Sequence, residues 1–379
     1  MRRLIERALR IVLPLTVLGA EHAYVYLRWV LEPGWGVAGS VLGGAALLLL
    51  FVNLIYVFVS RSRAHLRPEL DRALTLAAYI WLGALFLSVV ALGAVDLARL
   101  LLALTVAPDG LRIGAAVSAA LAVTLVALAL KGGLSPVRLK AVSVRIPTWP
   151  ERLNGFTVVQ LSDVHIGRVL RRRWVESVVA RANSAHADMI VITGDLIDGS
   201  VSALEHDVAP LTNLSAKHGV YFVTGNHEFY AGVDPWVAHL PKLGVQVLAN
   251  QRVTIDGAFD LLGLHDRAAR YFGARYQAQV ADLVAGRDPS RPLIALAHQP
   301  SEITRLAGHG VDLHLAGHTH GGQIWPFSLL VRLEHRYVAG LYQHDKKTQV
   351  YVSRGTGFWG PPMRLFVPAE ITHISLHHG

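Results

Sequence analysis

Seven side chains of metal-binding type follow five separate apolar runs in this 379-residue chain. The runs are short and rich in Val, Ile or Leu, as buried strands are. Because open α/β sheets bind ligands beyond the carboxyl ends of their strands, we expect these side chains to meet at one edge. Carboxylate, imidazole and amide groups bind divalent cations, so the pattern predicts a metal site. The seven candidates are Asp163, His165, Asp195, Asn226, His298, His318 and His320.

The segments that must position these residues alternate between strands and helices. From about Val142, short apolar runs alternate with amphipathic stretches, which indicates an α/β domain. Helices are expected over residues 172–186, 201–216 and 235–243. The β-rich runs QVYVS and HISL predict hairpins in the tail, residues 337–374.

The candidate ligands lie in recognisable blocks. These are Asp-x-His at 163–165, Gly-Asp at 194–195, Gly-Asn-His-Glu at 225–228, His298, and Gly-His-Thr-His-Gly-Gly-Gln at 317–323. In this order, over about 160 residues, they resemble the calcineurin-like metallophosphoesterase family. The similarity is to a branch with membrane helices ahead of the catalytic domain. It implies an α/β/β/α sandwich over residues 142–379.

The resemblance implies a role for each candidate residue. It places Asp163, His165, Asp195 and His320 around one divalent cation. It places Asp195, Asn226, His298 and His318 around a second, with Asp195 bridging. His227 would be the catalytic group that hydrogen-bonds the phosphoryl group or protonates the leaving oxygen. Manganese is the expected cation, with iron, zinc, cobalt and magnesium as alternatives, because nitrogen and oxygen ligands suit all of them.

Three further features allow two interpretations each. Arg168 and Arg171 either bind substrate phosphate or anionic lipid headgroups, or begin a solvated helix. Asp198 either supports the metal site or caps the next helix. Four aromatic residues either pack in the core or form an apolar lip beside the site. These aromatic residues are Trp325, Phe327, Phe358 and Trp359.

Composition and charge exclude some classes of site and partner. The chain has no Cys, which excludes disulfides and thiolate metal sites. Residues 1–145 carry 15 Lys and Arg against 7 Asp and Glu, a net charge of +8, whereas residues 146–379 carry 21 against 20, or +1. The near balance of the second part counts against a nucleic-acid partner.

The basic excess belongs to a predicted membrane region, residues 1–135. Four apolar stretches, at about 11–31, 37–59, 73–95 and 111–130, are long enough to cross a bilayer. The first contains Pro14, Glu21 and His22, and a signal peptide is its rival interpretation. Arg and Lys cluster before the first stretch, between the second and third, and after the fourth, whereas the opposite loops have neither. Four spans therefore place both ends of the chain in the cytoplasm.

These observations predict a phosphohydrolase anchored in the cytoplasmic (inner) membrane, with its catalytic domain in the cytoplasm. Its expected substrate has a phosphoester or pyrophosphate bond and is lipid-linked, as in the UDP-diacylglucosamine hydrolases that the branch resembles. A nuclease or cyclic-nucleotide phosphodiesterase is the alternative enzyme. A membrane scaffold or transporter with a regulatory soluble domain is the alternative of another class. No obligate protein partner is evident.

Overall fold

A computed structural model describes residues 2–59, 66–101 and 108–379 of the chain. They form two compact units. The first comprises Met1–Leu134 with Gly360–Met363, and the second comprises Ser135–Trp359 with Arg364–Gly379.

The first unit is helical. Its helices are α1 (Arg2–Tyr26), α2 (Gly36–Val59), α3 (Pro68–Leu101) and α4 (Pro108–Leu134), and a π-helical turn, Leu27–Leu31, follows α1. Three helical segments among the described residues are long and apolar enough to cross a membrane: Gly36–Val59, Pro68–Leu101 and Arg112–Leu134. The first expected span is not among them, so four spans remain a prediction. Arg61 and Arg63, and residues 106–107 of the expected outer loop, lie outside the described residues.

The helix α1 packs along α3 through apolar and polar contacts. Val25 is buried with Leu85 and Leu92. Near the end of α3, Asp96 accepts a hydrogen bond from the Tyr24 hydroxyl at 2.6 Å and pairs with Arg28. Asp96 and Arg28 thus compensate each other's charge, as an apolar environment requires.

The second unit alternates strands with short helices, as the sequence predicts. Its strands are β1 (Arg138–Ile146), β2 (Phe156–Leu161), β3 (Met189–Thr193), β4 (Val220–Val223), β5 (Val245–Val247), β6 (Gln251–Ile255), β7 (Phe259–Gly263), β8 (Leu293–Leu296), β9 (Leu313–Ala316), β10 (Gly340–Gln343), β11 (Gln349–Val352) and β12 (Glu370–His378). Its helices are α5 (Arg172–Asn183), α6 (Val201–Val208), α7 (Asn226–Ala231), α8 (Val233–His239), α9 (Val280–Val284), α10 (Ile303–Leu306) and α11 (Phe327–Glu334).

The strands form two six-stranded sheets. The first has the order β1-β12-β2-β3-β4-β5, and the second β10-β11-β9-β8-β7-β6. Strands β2 to β5 are mutually parallel, and so are β7, β8, β9 and β11. The carboxyl ends of these parallel strands carry the blocks identified in the sequence.

Burial divides the second unit into layers. Val158, Val191 and Leu261 belong to an apolar cluster that draws residues from both sheets. On the outer face of the first sheet, Ile190 is buried in a cluster with Val178 of α5. A separate cluster joins strands of the second sheet to α9 and α10. The α/β class predicted from the sequence is confirmed, with two sheets between outer helices.

Three local predictions differ from the structure. The helix expected over 201–216 ends at Val208, and the helix expected over 235–243 begins at Val233 and ends at His239. Both continue as 3₁₀ turns that contain Pro210 and Pro241, because proline cannot donate the i→i−4 hydrogen bond. In the tail, β10 and β11 form the expected hairpin, but β12 inserts between β1 and β2 of the other sheet.

Candidate metal centre

The loops after five parallel strands bring the candidate ligands together. Asp163 follows β2, Asp195 follows β3 and Asn226 follows β4, whereas His298 and His318 follow β8 and β9 of the other sheet. Potential ligand atoms lie within 4.8 Å of one another in three groups. The groups are Asp163, His165 and His320; Asp195, His298 and His318; and His165, Asp195 and His227.

Close backbone approaches hold the two sheets together at this edge. The Asp163 carboxylate accepts the backbone N–H of His318, from the opposite sheet, at 2.9 Å. A Cβ at Gly317 would lie 2.3 Å from Asp163 Oδ2, and a Cβ at Gly225 would lie 2.1 Å from Asp195 Oδ1. Only glycine fits these two positions, which explains the Gly that precedes the ligand in each block.

The ligand loops also store backbone strain. Five candidate ligands have positive φ, a region that non-glycine residues rarely adopt. They are Asp163 (φ 51), His165 (φ 52), Asp195 (φ 49), His318 (φ 71) and His320 (φ 49). Such residues cluster where function requires a fixed side-chain direction, and surrounding contacts must maintain them.

Two pairs of imidazole nitrogens face each other across the site. His165 Nε2 lies 3.1 Å from His320 Nε2, and His318 Nδ1 lies 3.2 Å from His298 Nε2. The Nδ1 of His298 donates to the Thr193 carbonyl oxygen at 2.8 Å, so its Nε2 is the atom that faces the site, 3.1 Å from Asp195 Oδ2. Converging lone pairs repel each other unless a cation or a proton lies between them, so the arrangement fits bound cations.

Asn226 provides a second test of this fit. Its Oδ1 is buried and has no hydrogen-bond partner among the described residues. A buried amide oxygen without a partner costs free energy, roughly 1–3 kcal/mol on mutational scales. An amide oxygen is also a suitable ligand for a hard cation, so the unpaired atom fits a metal site.

The electrostatics favour the metal-binding forms of Asp195 and His318, whereas burial raises the pKa of Asp163 and the Asp195 carboxylate raises the pKa of His298. Burial alone would raise the pKa of Asp195, but His298 and His227 hold it well below its usual range. Burial and His298 lower the pKa of His318 to about 3, which keeps its imidazole neutral. Burial raises the pKa of Asp163, because a carboxylate charge is costly away from water. An ionised carboxylate and a neutral imidazole are the forms that bind metal.

His227 is oriented by Asp198. Its Nδ1 donates to Asp198 Oδ1 at 2.6 Å, while its Nε2 lies 4.0 Å from Asp195 Oδ2. Burial alone would lower the pKa of His227, but Asp195 and then Asp198 raise it to about 9. The same Asp198 oxygen lies 2.9 Å from Nδ1 of His165. Asp198 therefore contacts a candidate ligand and the candidate catalytic group, and does not cap the following helix.

The two arginines suggested for substrate binding differ in their surroundings. Arg171 pairs with Asp207 at 3.0 Å, so its guanidinium has a structural partner. Arg168 is exposed on the loop after His165. Among the aromatic residues, Phe358 is buried, whereas Trp325, Phe327 and Trp359 are each nearly half exposed.

The sequence also matches known proteins across this region. The Calcineurin-like phosphoesterase family matches residues 156–322, which include all seven candidate ligands and His227. A metallophosphoesterase of Aquifex aeolicus (strain VF5) is 32% identical over 220 residues, which cover 58% of this chain and 84% of the relative.

The chain belongs to the calcineurin-like phosphoesterase family.

Other family members are longer than the matched region. A metallophosphoesterase of Helicobacter pylori (strain ATCC 700392 / 26695) is 39% identical over 248 residues, 64% of this chain and 65% of the relative. The transmembrane protein with metallophosphoesterase domain of Bos taurus is 39% identical over 262 residues, 65% of this chain and 59% of the relative. The match thus spans less than two thirds of the length of either protein.

Two buried charged residues that the sequence analysis did not assign to the site support it. The carboxylate of Glu228 accepts the backbone N–H groups of Asp195 at 3.0 Å and Leu196 at 2.8 Å, which fastens the loop after β3 to α7. Burial and Asp195 raise the pKa of Glu228 to about 7. Arg364 donates to the Gly357 and Val367 carbonyls, and its Nη2 lies 3.4 Å from His320 Nδ1. Glu228 could have been suspected from its place in the Gly-Asn-His-Glu block, but Arg364 is far from every block.

Proposed function

We propose that this chain is a membrane-anchored phosphohydrolase that uses two divalent cations to cleave a phosphoester or pyrophosphate bond. One observation carries the proposal: the paired imidazole nitrogens converge around the ionised Asp195 carboxylate. The family membership supports the same chemistry. When bound, the cations act as Lewis acids that polarise the phosphoryl group and lower the pKa of water.

The proposed ligand sets extend two of the three groups of converging atoms, the one with Asp163 and His320 and the one with His298 and His318. Asp163, His165, Asp195 and His320 hold one cation, and Asp195, Asn226, His298 and His318 hold the other. Manganese is the first candidate, with iron, zinc, cobalt and magnesium as alternatives, because all accept nitrogen and oxygen ligands.

The proposed task of His227 is to contact the phosphoryl group or protonate the leaving oxygen. Asp198 fixes its Nδ1, which directs Nε2 toward Asp195. His227→Ala should reduce turnover strongly and leave cation content unchanged. Loss of a cation from this variant would instead make His227 a ligand, as its proximity to His165 and Asp195 permits.

We further propose a lipid-linked substrate such as UDP-diacylglucosamine, because an anchor confines the enzyme to the surface where such substrates lie. We propose Arg168, exposed on the loop after His165, and Arg171, whose side chain is 47% exposed, as the residues that contact its phosphates.

Cation content and hydrolysis by the purified full chain test the activity. Manganese-dependent cleavage of bis-p-nitrophenyl phosphate should be lost in His318→Ala and retained in a control, His314→Gln, whose buried ring bonds the Ala297 carbonyl instead. Full cation content without hydrolysis of any phosphoester would favour the alternative function, a membrane scaffold or transporter with a regulatory soluble domain. A panel of lipid pyrophosphates, phospholipids, cyclic nucleotides and polynucleotides then ranks the substrates.

We propose four spans, with residues 1–135 in the membrane and residues 142–379 in the cytoplasm beside the inner membrane. The 25-residue α1 would extend about 37 Å at 1.5 Å per residue, enough to cross the hydrocarbon core. Its contacts with α3 support its place in the bundle. Four spans put a tag at Met1 and a Cys at Leu134 on the same face, whereas three spans put them on opposite faces. Impermeant labelling of intact and lysed cells distinguishes the two.

A further inference from the structure

A group of large apolar side chains is exposed directly after the last ligand block. The helix α11 has no buried residue, although much of its sequence, FSLLVRLE, is apolar. Leu333 is 84% exposed. Exposed apolar groups of this kind mark contact surfaces in soluble domains. We name as the apolar ridge the residues Trp325, Phe327, Leu329, Leu330, Leu333 and Phe366.

The ridge is held in a defined conformation. Ile324 and Leu365 form an isolated parallel bridge, and the Trp325 N–H donates to the Leu365 carbonyl at 3.2 Å. The rings of Trp325 and Phe366 lie 6.2 Å apart. Phe366 has a φ of 59° and is 74% exposed, so a bulky residue adopts a strained backbone while its ring faces outward. A strained backbone at a residue whose side chain is not buried is typical of a residue that contacts a binding partner.

The ridge also adjoins the candidate metal centre. It begins five residues after His320, and α11 ends at Glu334, immediately before His335. The His335 ring lies against that of His318, with the centroids 5.3 Å apart. Whatever covers the ridge therefore lies close to the substrate site.

We propose that the apolar ridge inserts into the surface of the lipid bilayer to which the chain is anchored. This inference rests on the proposed membrane anchoring. Tryptophan and phenylalanine beside leucines are typical of segments that lie in a membrane interface. Arg332 and Arg336, both exposed, outnumber the adjoining exposed Glu334 and complement anionic lipid headgroups.

The length of the linker favours the same bilayer over another partner. Only residues 135–137 separate α4 from β1, and a chain of that length extends no more than about 14 Å. The second unit is thus tethered at high effective concentration to a bilayer that contains α4. A ridge of this composition needs no further protein partner to become covered.

The absence of native Cys makes a direct test possible, because a single introduced Cys can be labelled uniquely. Leu333→Cys places an environment-sensitive fluorophore on the ridge, and Ala180→Cys, exposed on α5, is the matched control. Each full chain is reconstituted into vesicles of phosphatidylcholine and phosphatidylglycerol. Quenching by lipid-bound nitroxide is compared with quenching by aqueous iodide.

The Leu333 probe should show a blue-shifted emission, several-fold stronger quenching by the lipid-bound nitroxide than the Ala180 probe, and weaker quenching by iodide. Equal iodide quenching of the two probes would overturn the proposal. Oxidative Leu333→Cys dimers without nitroxide quenching would also overturn it and assign the ridge to a second copy of the chain. Hydrolysis of the water-soluble bis-p-nitrophenyl phosphate by the same vesicles reports separately on the proposed function.

Discussion

The substitution Asp198→Asn tests whether one carboxylate organises both parts of the proposed mechanism. Asp198 Oδ1 accepts hydrogen bonds from Nδ1 of His165 at 2.9 Å and Nδ1 of His227 at 2.6 Å. Burial alone would raise its pKa, but the two histidines hold the pKa of Asp198 well below its usual range. The residue therefore acts as a carboxylate at neutral pH, and asparagine preserves its shape while removing its charge.

The expected loss follows from the strength of the two hydrogen bonds. A hydrogen bond to a charged group contributes about 1.5–3 kcal/mol and a neutral one about 0.5–1.5 kcal/mol. Replacing the charged acceptor of both hydrogen bonds by a neutral one should therefore cost about 2–3 kcal/mol in total. At 1.36 kcal/mol per factor of ten, this corresponds to roughly 30- to 150-fold. We expect the weaker hydrogen bond to His165 to reduce cation affinity about tenfold, and the weaker hydrogen bond to His227 to reduce turnover about tenfold. Losses of this size agree with the usual effect of removing a carboxylate that bonds a ligating histidine.

Two measurements separate the effect on cation affinity from the effect on turnover. Cation content after dialysis against graded chelator buffers reports the affinity, and kcat at saturating manganese reports turnover of bis-p-nitrophenyl phosphate. Asp188→Asn is the matched control, because Asp188 Oδ2 also accepts two hydrogen bonds, both from Thr157. The reasoning is refuted if Asp198→Asn retains the wild-type cation affinity and kcat, or if the Asp188 control loses as much.

Three further substitutions test the supporting structure through thermal unfolding of the full chain, monitored by tryptophan fluorescence. Glu228→Gln places an amide NH₂ against backbone donors, so we expect a loss of about 2 kcal/mol and a Tm lower by roughly 4–8 °C; an unchanged Tm would contradict this. A lysine at position 364 cannot donate to several carbonyls at once, so Arg364→Lys should lower the Tm. It should also release one of the two cations at a lower chelator concentration. Release of both cations together would contradict a local effect. His314 has its pKa lowered to about 4 by burial, so its stabilising contribution is present above pH 6.5 and falls as the unfolded state gains a proton between pH 6.5 and 4. His314→Gln should remove about 2 kcal/mol of the stability lost between pH 7.5 and 5, and parallel Tm curves for wild type and variant would refute it.

The strand ends could be predicted from the sequence because their determinants are local. A buried parallel strand is a short apolar run, and β3 and β4 are each followed within two residues by a glycine that precedes a candidate ligand. The edge of the sheet then follows from the general rule for parallel strands. The pairing of strands that are distant in sequence has no local sequence signal of this kind. Nothing in the run HISL reveals that β12 inserts between β1 and β2, since this register depends on strands more than 200 residues apart.

The same distinction applies to the site. Asp163 and Asp195 could be found because each directly follows a strand, whereas the double contact of Asp198 depends on the angle of two distant loops. Arg364 lies 44 residues from His320 in an apolar, proline-rich stretch that carries no sign of a charged interior role. The apolar pattern of α11 is typical of a core helix, and only the lack of any buried residue in the structure separates it from one.

The contacts around the ligands suggest that the site is organised before a cation binds. The loop after β2 is joined to the opposite sheet by the His318 N–H and the Asp163 carboxylate, and the loop after β3 is joined to α7 by Glu228. These bonds involve backbone donors and need no metal. Because they can maintain the positive φ of Asp163 and Asp195, the strain is borne by the protein and not by the cation. The ligand loops of such a preformed site lose little conformational entropy when cations bind. Little of the free energy of cation binding is then needed to order these loops, and the bound cations can position the substrate phosphate.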